Sequence, residues 1–243
     1  MANYYVHSAA AGGNGTTWAL AYKTLALALA GKVGGDNIWI AHDHDEANAG
    51  ALTFGAPSGG FGNPVKVCCV DRAGSVPPVA ADFRTTAKIN SALGISIGVA
   101  NSGIYYEGIN FTAGVASAAA LNFIFPHVGN CYLRFDNCTF YMASTSGSCI
   151  FKLGNGTSGA GGLVELNNCG FQFGHINQYI EVSATVRWRN TAVPLLGAIY
   201  PFIALRPVSN MGGSLEMTGL DFSAVPSGKN ITTLGAAATA FKI

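Results

Sequence analysis

Tyr132-Leu133-Arg134-Phe135-Asp136-Asn137-Cys138-Thr139-Phe140 is the stretch whose alternation decides how the chain folds. Leu133 and Phe135 are apolar and alternate with Arg134 and Asp136, the period of two that a strand with one buried face requires. Asn137 comes next, a residue type that tolerates a left-handed backbone, and beyond it the inward phase resumes at Cys138 and Phe140. Two short strands joined by a sharp bend are predicted.

The same pattern occurs five times, ending at Phe111, Phe140, Phe171, Val193 and Phe222, and the copies begin at Gly103, Tyr132, Leu163, Thr185 and Ser214. Positions two and four are always apolar: Ile104/Tyr106, Leu133/Phe135, Val164/Leu166, Val186/Trp188 and Leu215/Met217. Position six is Gly108, Asn137, Asn168, Asn190 or Gly219. Outward position three reads Tyr105, Arg134, Glu165, Arg187, Glu216, placing opposite charges on successive layers about 4.8 Å apart. A second column, Ile97, Ile124, Ile150, Ile180, Ile203 and Ile231, recurs at a similar interval and is expected to mark another strand of each turn. Units that carry about three strands and return to register bury their apolar faces only by stacking, the logic of a solenoid. Parallel crossovers are right-handed almost without exception, so the expected fold is all-β, a right-handed parallel β-helix.

Earlier turns are less regular. Residues 36–41 and 64–71 have strand character about one turn apart, and Ala73 to Ala81, with Pro77-Pro78, reads as a loop. Before them, residues 16–31 run from threonine to glycine through an alanine- and leucine-rich stretch and predict a capping α-helix. Trp18, Ala21, Tyr22, Leu25, Ala28 and Leu29 form the face that would cover the first layer, leaving Leu20 and Leu27 for a neighbouring subunit. One domain over 1–243 is expected, with 1–35 the N-terminal strand and capping helix and 36–243 the β-helix layers.

Charged residues are 10% of the chain, 49% is hydrophobic and 32 residues are glycine. An ordinary soluble domain has about 25% charged residues, so surface covered by sister subunits is expected. Net charge is +1 and the 13 Lys and Arg residues are scattered, which argues against a nucleic-acid footprint. No apolar stretch approaches the roughly 20 residues of a membrane-spanning helix, and the start of the chain does not read as a signal peptide. Synthesis in a reducing cytosol is the expectation, with Cys68, Cys69, Cys131, Cys138, Cys149 and Cys169 as small buried hydrophobes.

The N-terminal stretch, as far as Ala41, carries a resemblance. Tyr4-Tyr5-Val6, Asn14-Gly15-Thr16-Thr17-Trp18, Ala21-Tyr22-Lys23-Thr24-Leu25 and Gly35-Asp36-Asn37-Ile38-Trp39-Ile40-Ala41 resemble the entry segment of pectate-lyase-like right-handed β-helix proteins. Within that superfamily the short, glycine-rich, charge-poor chain is most similar to structural β-helix proteins of phage particles, such as tailspikes and head decoration proteins, which are commonly trimers. The resemblance implies a homotrimer made in the host cytoplasm and carried on the virion, bound to other virion proteins, chiefly the major capsid protein. It implies no cofactor and no catalysis. The alternative from the same superfamily is a carbohydrate-binding or polysaccharide-degrading β-helix.

Three groups of residues carry the candidate chemistry. If residues 42–46 stay extended, His42, His44 and Glu46 share a face and resemble metal ligands, against which stands a solvated loop. Glu107 and Asp136, at position five of adjacent layers with Arg134 close by, are the best carboxylate pair for glycoside chemistry. Their column continues as Asn167, Arg189 and Thr218, as an ordinary wet surface would. No aromatic-lined groove for sugars is evident, since Tyr106, Phe135 and Trp188 point inward by phase. Cys138 and Cys169 stack in one inward column, where free thiols are favoured over a disulfide. His7, His127 and His175 are isolated and read as structural or exposed.

Overall fold

The computed structural model describes residues 1–55, 57, 62–97, 99–100, 103–116, 119–125, 127–128, 131–154, 162–190, 203–205, 214–220, 232–234 and 240–242. The regular secondary structure of the described chain is nearly all strand, and every pairing between its strands is parallel. Three long sheets stack into a solenoid-like body, and a fourth sheet of two strands pairs Val99–Ala100 with His127–Val128. The first holds Asn3–Val6, Asn37–Ala41, Val65–Val70, Gly103–Glu107, Tyr132–Asp136, Leu163–Asn167, Thr185–Arg189, Ser214–Thr218 and Ala240–Lys242, in chain order. The second runs from Asp45–Asn48 through Ala87–Ser91, Ile109–Ala113 and Thr139–Met142 to Gly170–Phe173. The third runs from Leu52–Phe54 through Ile95–Ile97, Asn122–Phe125, Ile150–Leu153, Tyr179–Val182 and Ile203–Leu205 to Thr232–Leu234.

The repeat register is observed residue for residue. Leu133 pairs with Ile104 and Val164, Val164 with Val186, and Val186 with Leu215, and all five are buried. Behind them Tyr106 stacks on Phe135 at 5.1 Å and Phe140 on Phe171 at 4.9 Å, so aromatic ladders run along the core. The bends are stacked too. The N–H of Gly108 donates to the Asp136 carbonyl, Asn137 to Asn167, Asn168 to Arg189 and Asn190 to Thr218, so the layer-to-layer bonding continues through position six. Asn137 and Asn168 take φ of 54° and 51°. Gly108 and Gly219 are required for a second reason: a Cβ there would lie 2.0 Å from the Arg84 carbonyl oxygen and 1.9 Å from that of Asn190. Residues 191–193 and 221–222, which complete two copies of the pattern, lie outside the described residues, as does Ile231.

Two expectations are corrected. The isoleucines do not form one column. Phe123 pairs with Ile95 and Phe151, and Phe151 with Ile180, while Ile124 and Ile150 are displaced by one position and only half-buried. A strand has period two, so a slip of a single position moves a side chain to the opposite face. The helix is also far shorter than residues 16–31: it spans Leu25–Leu29 only, capped by the Thr24 side chain accepting from the Leu27 N–H. Tyr22 is held instead in a bridge to Val6, and Asn14 and Thr17 bind nearby backbone N–H groups in turns. Local side-chain bonds of this kind compete with helix, and here they prevail. Leu25, Ala28 and Leu29 still bury into the main core, and the helix packs against Asn3–Val6 and Leu52–Phe54.

Candidate functional site

Glu107 and Asp136 come together because the register of Gly103–Glu107 on Tyr132–Asp136 sets position five directly over position five. Every oxygen of the two carboxylates is engaged. Glu107 Oε1 accepts from Asn137 Nδ2 at 2.8 Å, and Oε2 is in hydrogen-bond contact with the Tyr105 hydroxyl. Asp136 Oδ1 accepts from Arg134 Nε at 2.9 Å and Asn167 Nδ2 at 2.7 Å. Its Oδ2 accepts from Arg134 Nη2 at 2.6 Å and contacts the Tyr105 hydroxyl at 3.1 Å. Burial pushes Glu107 above the usual carboxylate range, with the Asp136 charge adding to it against the Asn137 bond and Arg134.

The charge column continues beside this cluster. Arg187 lies 3.6 Å from Glu165 and 3.7 Å from Glu216, bridging both neighbouring layers, and Arg189 reaches Glu216 at 3.6 Å. Arg134 departs from the expected cross-layer pairing: it binds Asp136 on its own strand, and the Tyr132 hydroxyl donates to Glu165 at 2.7 Å instead. That bond and burial push the Tyr132 phenol up to about 12, burial contributing more.

The first sheet also has an outer apolar cluster that sequence phase conceals. Tyr5, Ala21, Trp39, Cys68 and Val70 are buried outside the main core, with Trp18, Phe83 and Tyr105 packed on them. Trp39 points outward between Ile38 and Ile40 yet is only 8% exposed, because Phe83, at the end of the 73–83 loop, folds over it at 6.4 Å. A groove of about 530 Å³ opens alongside, lined by Trp39, Phe83, Pro77, Pro78, Lys66 and Tyr105 among others. A hollow of about 280 Å³ shares Lys66 and Tyr105 with it and adds Tyr132 and Arg134. Tyr106, Phe135 and Trp188 are buried as their phase predicts, and the aromatic lining that was not evident in the sequence comes from Trp39, Phe83 and Tyr105. The signal was a tryptophan on the outward phase of a strand, but its cover comes from a loop more than a full turn further along the chain.

His42, His44 and Glu46 do not share a face. The chain turns at residues 42–43, so the strand begins only at Asp45. His42 faces Asp71 at 3.6 Å, whereas His44 and Glu46 are buried and 3.3 Å apart. Glu46 also accepts the Leu25 N–H at 2.8 Å and Asn48 Nδ2 at 3.0 Å, a structural tie to the helix. Among the described residues no group of three His, Cys, Asp or Glu could hold a metal ion. All six cysteines are buried, and none is in a disulfide. Burial raises the Cys169 thiol to about 12, which leaves it protonated and inert. His7 lies 3.4 Å from Asp43, the His175 ring accepts the Asn177 N–H at 3.1 Å, and the His127 side chain lies outside the described residues. No helix among the described residues is long and apolar enough to cross a membrane. Comparison with protein families, curated proteins and solved structures finds no match to this chain.

Proposed function

We propose that this chain is a non-enzymatic structural protein of a bacteriophage particle, a homotrimer of side-by-side right-handed β-helices that decorates or cements the capsid. The observation that carries the non-enzymatic part of this reading is the engagement of the Glu107 and Asp136 oxygens by Tyr105, Arg134, Asn137 and Asn167. Carboxylates that ran an acid–base reaction would need an oxygen facing substrate. These instead tie one layer to the next, as Arg187 and Arg189 do further along. The low charge of the chain and its exposed Leu20 and Leu27 support burial of surface against sister subunits and the major capsid protein. In this reading the Leu25–Leu29 helix caps the first layer, and neither nucleic acid nor membrane is a partner. An electron-microscopy map of intact particles tests it: trimeric density of this shape on the head supports it, and absence of the protein from purified virions overturns it.

The outer groove and the hollow next to it favour a second reading, binding of carbohydrate, because Trp39 and Phe83 line the first, Tyr132 and Arg134 the second, and Tyr105 and Lys66 both. A glycan array probed with the full chain separates the two. Saturable binding abolished by Tyr105→Ala supports the glycan reading, and an array without signal removes it.

A further inference from the structure

The Tyr105 hydroxyl has one proton but contacts two carboxylate oxygens, Glu107 Oε2 and Asp136 Oδ2. It can donate to only one of them, so the other contact needs a proton from the carboxyl side. Arg134 donates to both oxygens of Asp136 and Asn167 donates to one, so the extra proton belongs on the other carboxyl, Glu107. Glu107 is buried, receives only the neutral Asn137 amide on Oε1, and has Asp136 one layer away. We propose that Glu107, Tyr105 and Asp136 form a proton-holding clasp between adjacent layers, in which protonated Glu107 donates to the Tyr105 oxygen and Tyr105 donates to the Arg134-bound Asp136. Loss of that proton leaves two anions against one phenol and loosens the clasp, so this stretch of the first sheet is a pH-sensitive joint. The titratable and charged groups on the same phase as Glu107 are Tyr105 on its own strand, Tyr132, Arg134 and Asp136 on the next, and Lys66 and Cys68 on the one before. Arg84, whose carbonyl abuts Gly108, has its guanidinium held by Asp71, and Glu165 and Arg189 lie a layer further on.

The sign follows from burial. Glu107 holds its proton to higher pH in the folded chain than in the unfolded one. Its stabilising contribution is therefore complete below the unfolded carboxyl's pKa of about 4.3 and is lost as pH rises through the folded one. Reversible urea unfolding of the full chain from acid to alkaline pH, for wild type and Glu107→Gln, measures this. The glutamine amide mimics the protonated acid, so the two profiles should coincide at low pH. They should then separate in favour of Glu107→Gln by up to tenfold in the unfolding constant per pH unit, the limit for one proton. Parallel profiles overturn the proposal. If Glu107→Gln does not fold, infrared titration of the wild type decides: a carboxylic C=O band persisting well above the ordinary glutamate range supports the clasp. A band lost at the pH of an ordinary glutamate overturns it.

Discussion

At single positions, the stacked core makes the cost of a substitution predictable from which face and which layer it strikes. Leu133 is fully buried between Ile104 and Val164, so Leu133→Ala should destabilise by about 2–5 kcal/mol, measured as a lowered urea midpoint with an unchanged slope. Position six splits by residue type. Asn137→Gly keeps a backbone that glycine adopts freely and loses only the bond to Glu107, so a modest loss of about 1 kcal/mol is expected. Gly108→Ala drives a Cβ into the Arg84 carbonyl as well as straining φ, and should cost more than about 2 kcal/mol or prevent folding, read from thermal melts of the two variants side by side.

At the level of strands and helix, the first sheet was legible because its short strands alternate cleanly and their bends carry Gly or Asn. The third sheet was less so: Asn122–Phe125 reads Asn-Phe-Ile-Phe, apolar on both phases after the first residue, and Ile124 competed with the true inward pair Phe123 and Phe125. The helix was overextended because alanine and leucine propensity is local, whereas the bridge from Tyr22 to Val6 depends on a strand at the start of the chain. Of the candidate site, the pairing of Glu107 with Asp136 followed from the repeat. The Tyr105 contacts and the groove did not, since they depend on side-chain reach and on where the 73–83 loop lands. The outward charge column gives a further test. Arg187→Ala removes an exposed bridge between Glu165 and Glu216 and should cost no more than about 1 kcal/mol, a difference that shrinks at high salt in urea titrations.

For the molecule as a whole, a chain with 10% charged residues and parallel strands throughout its described sheets is expected to associate. Light scattering of the purified protein should give three times the 25.0 kDa chain mass, and a monomer persisting at high concentration would contradict the trimer. The bends carry a last consequence. Because Gly108 and Asn137 hand their N–H to the following layer in the same way, and the two copies are separated by one complete turn of the coil, neighbouring layers present equivalent upper and lower seams. Excising or duplicating one complete period should therefore leave both seams matched, whereas an insertion of a single residue inside a strand inverts every side chain beyond it. Length in such a body is free to change in whole periods, by a kind of tandem copying, and hardly at all in smaller steps.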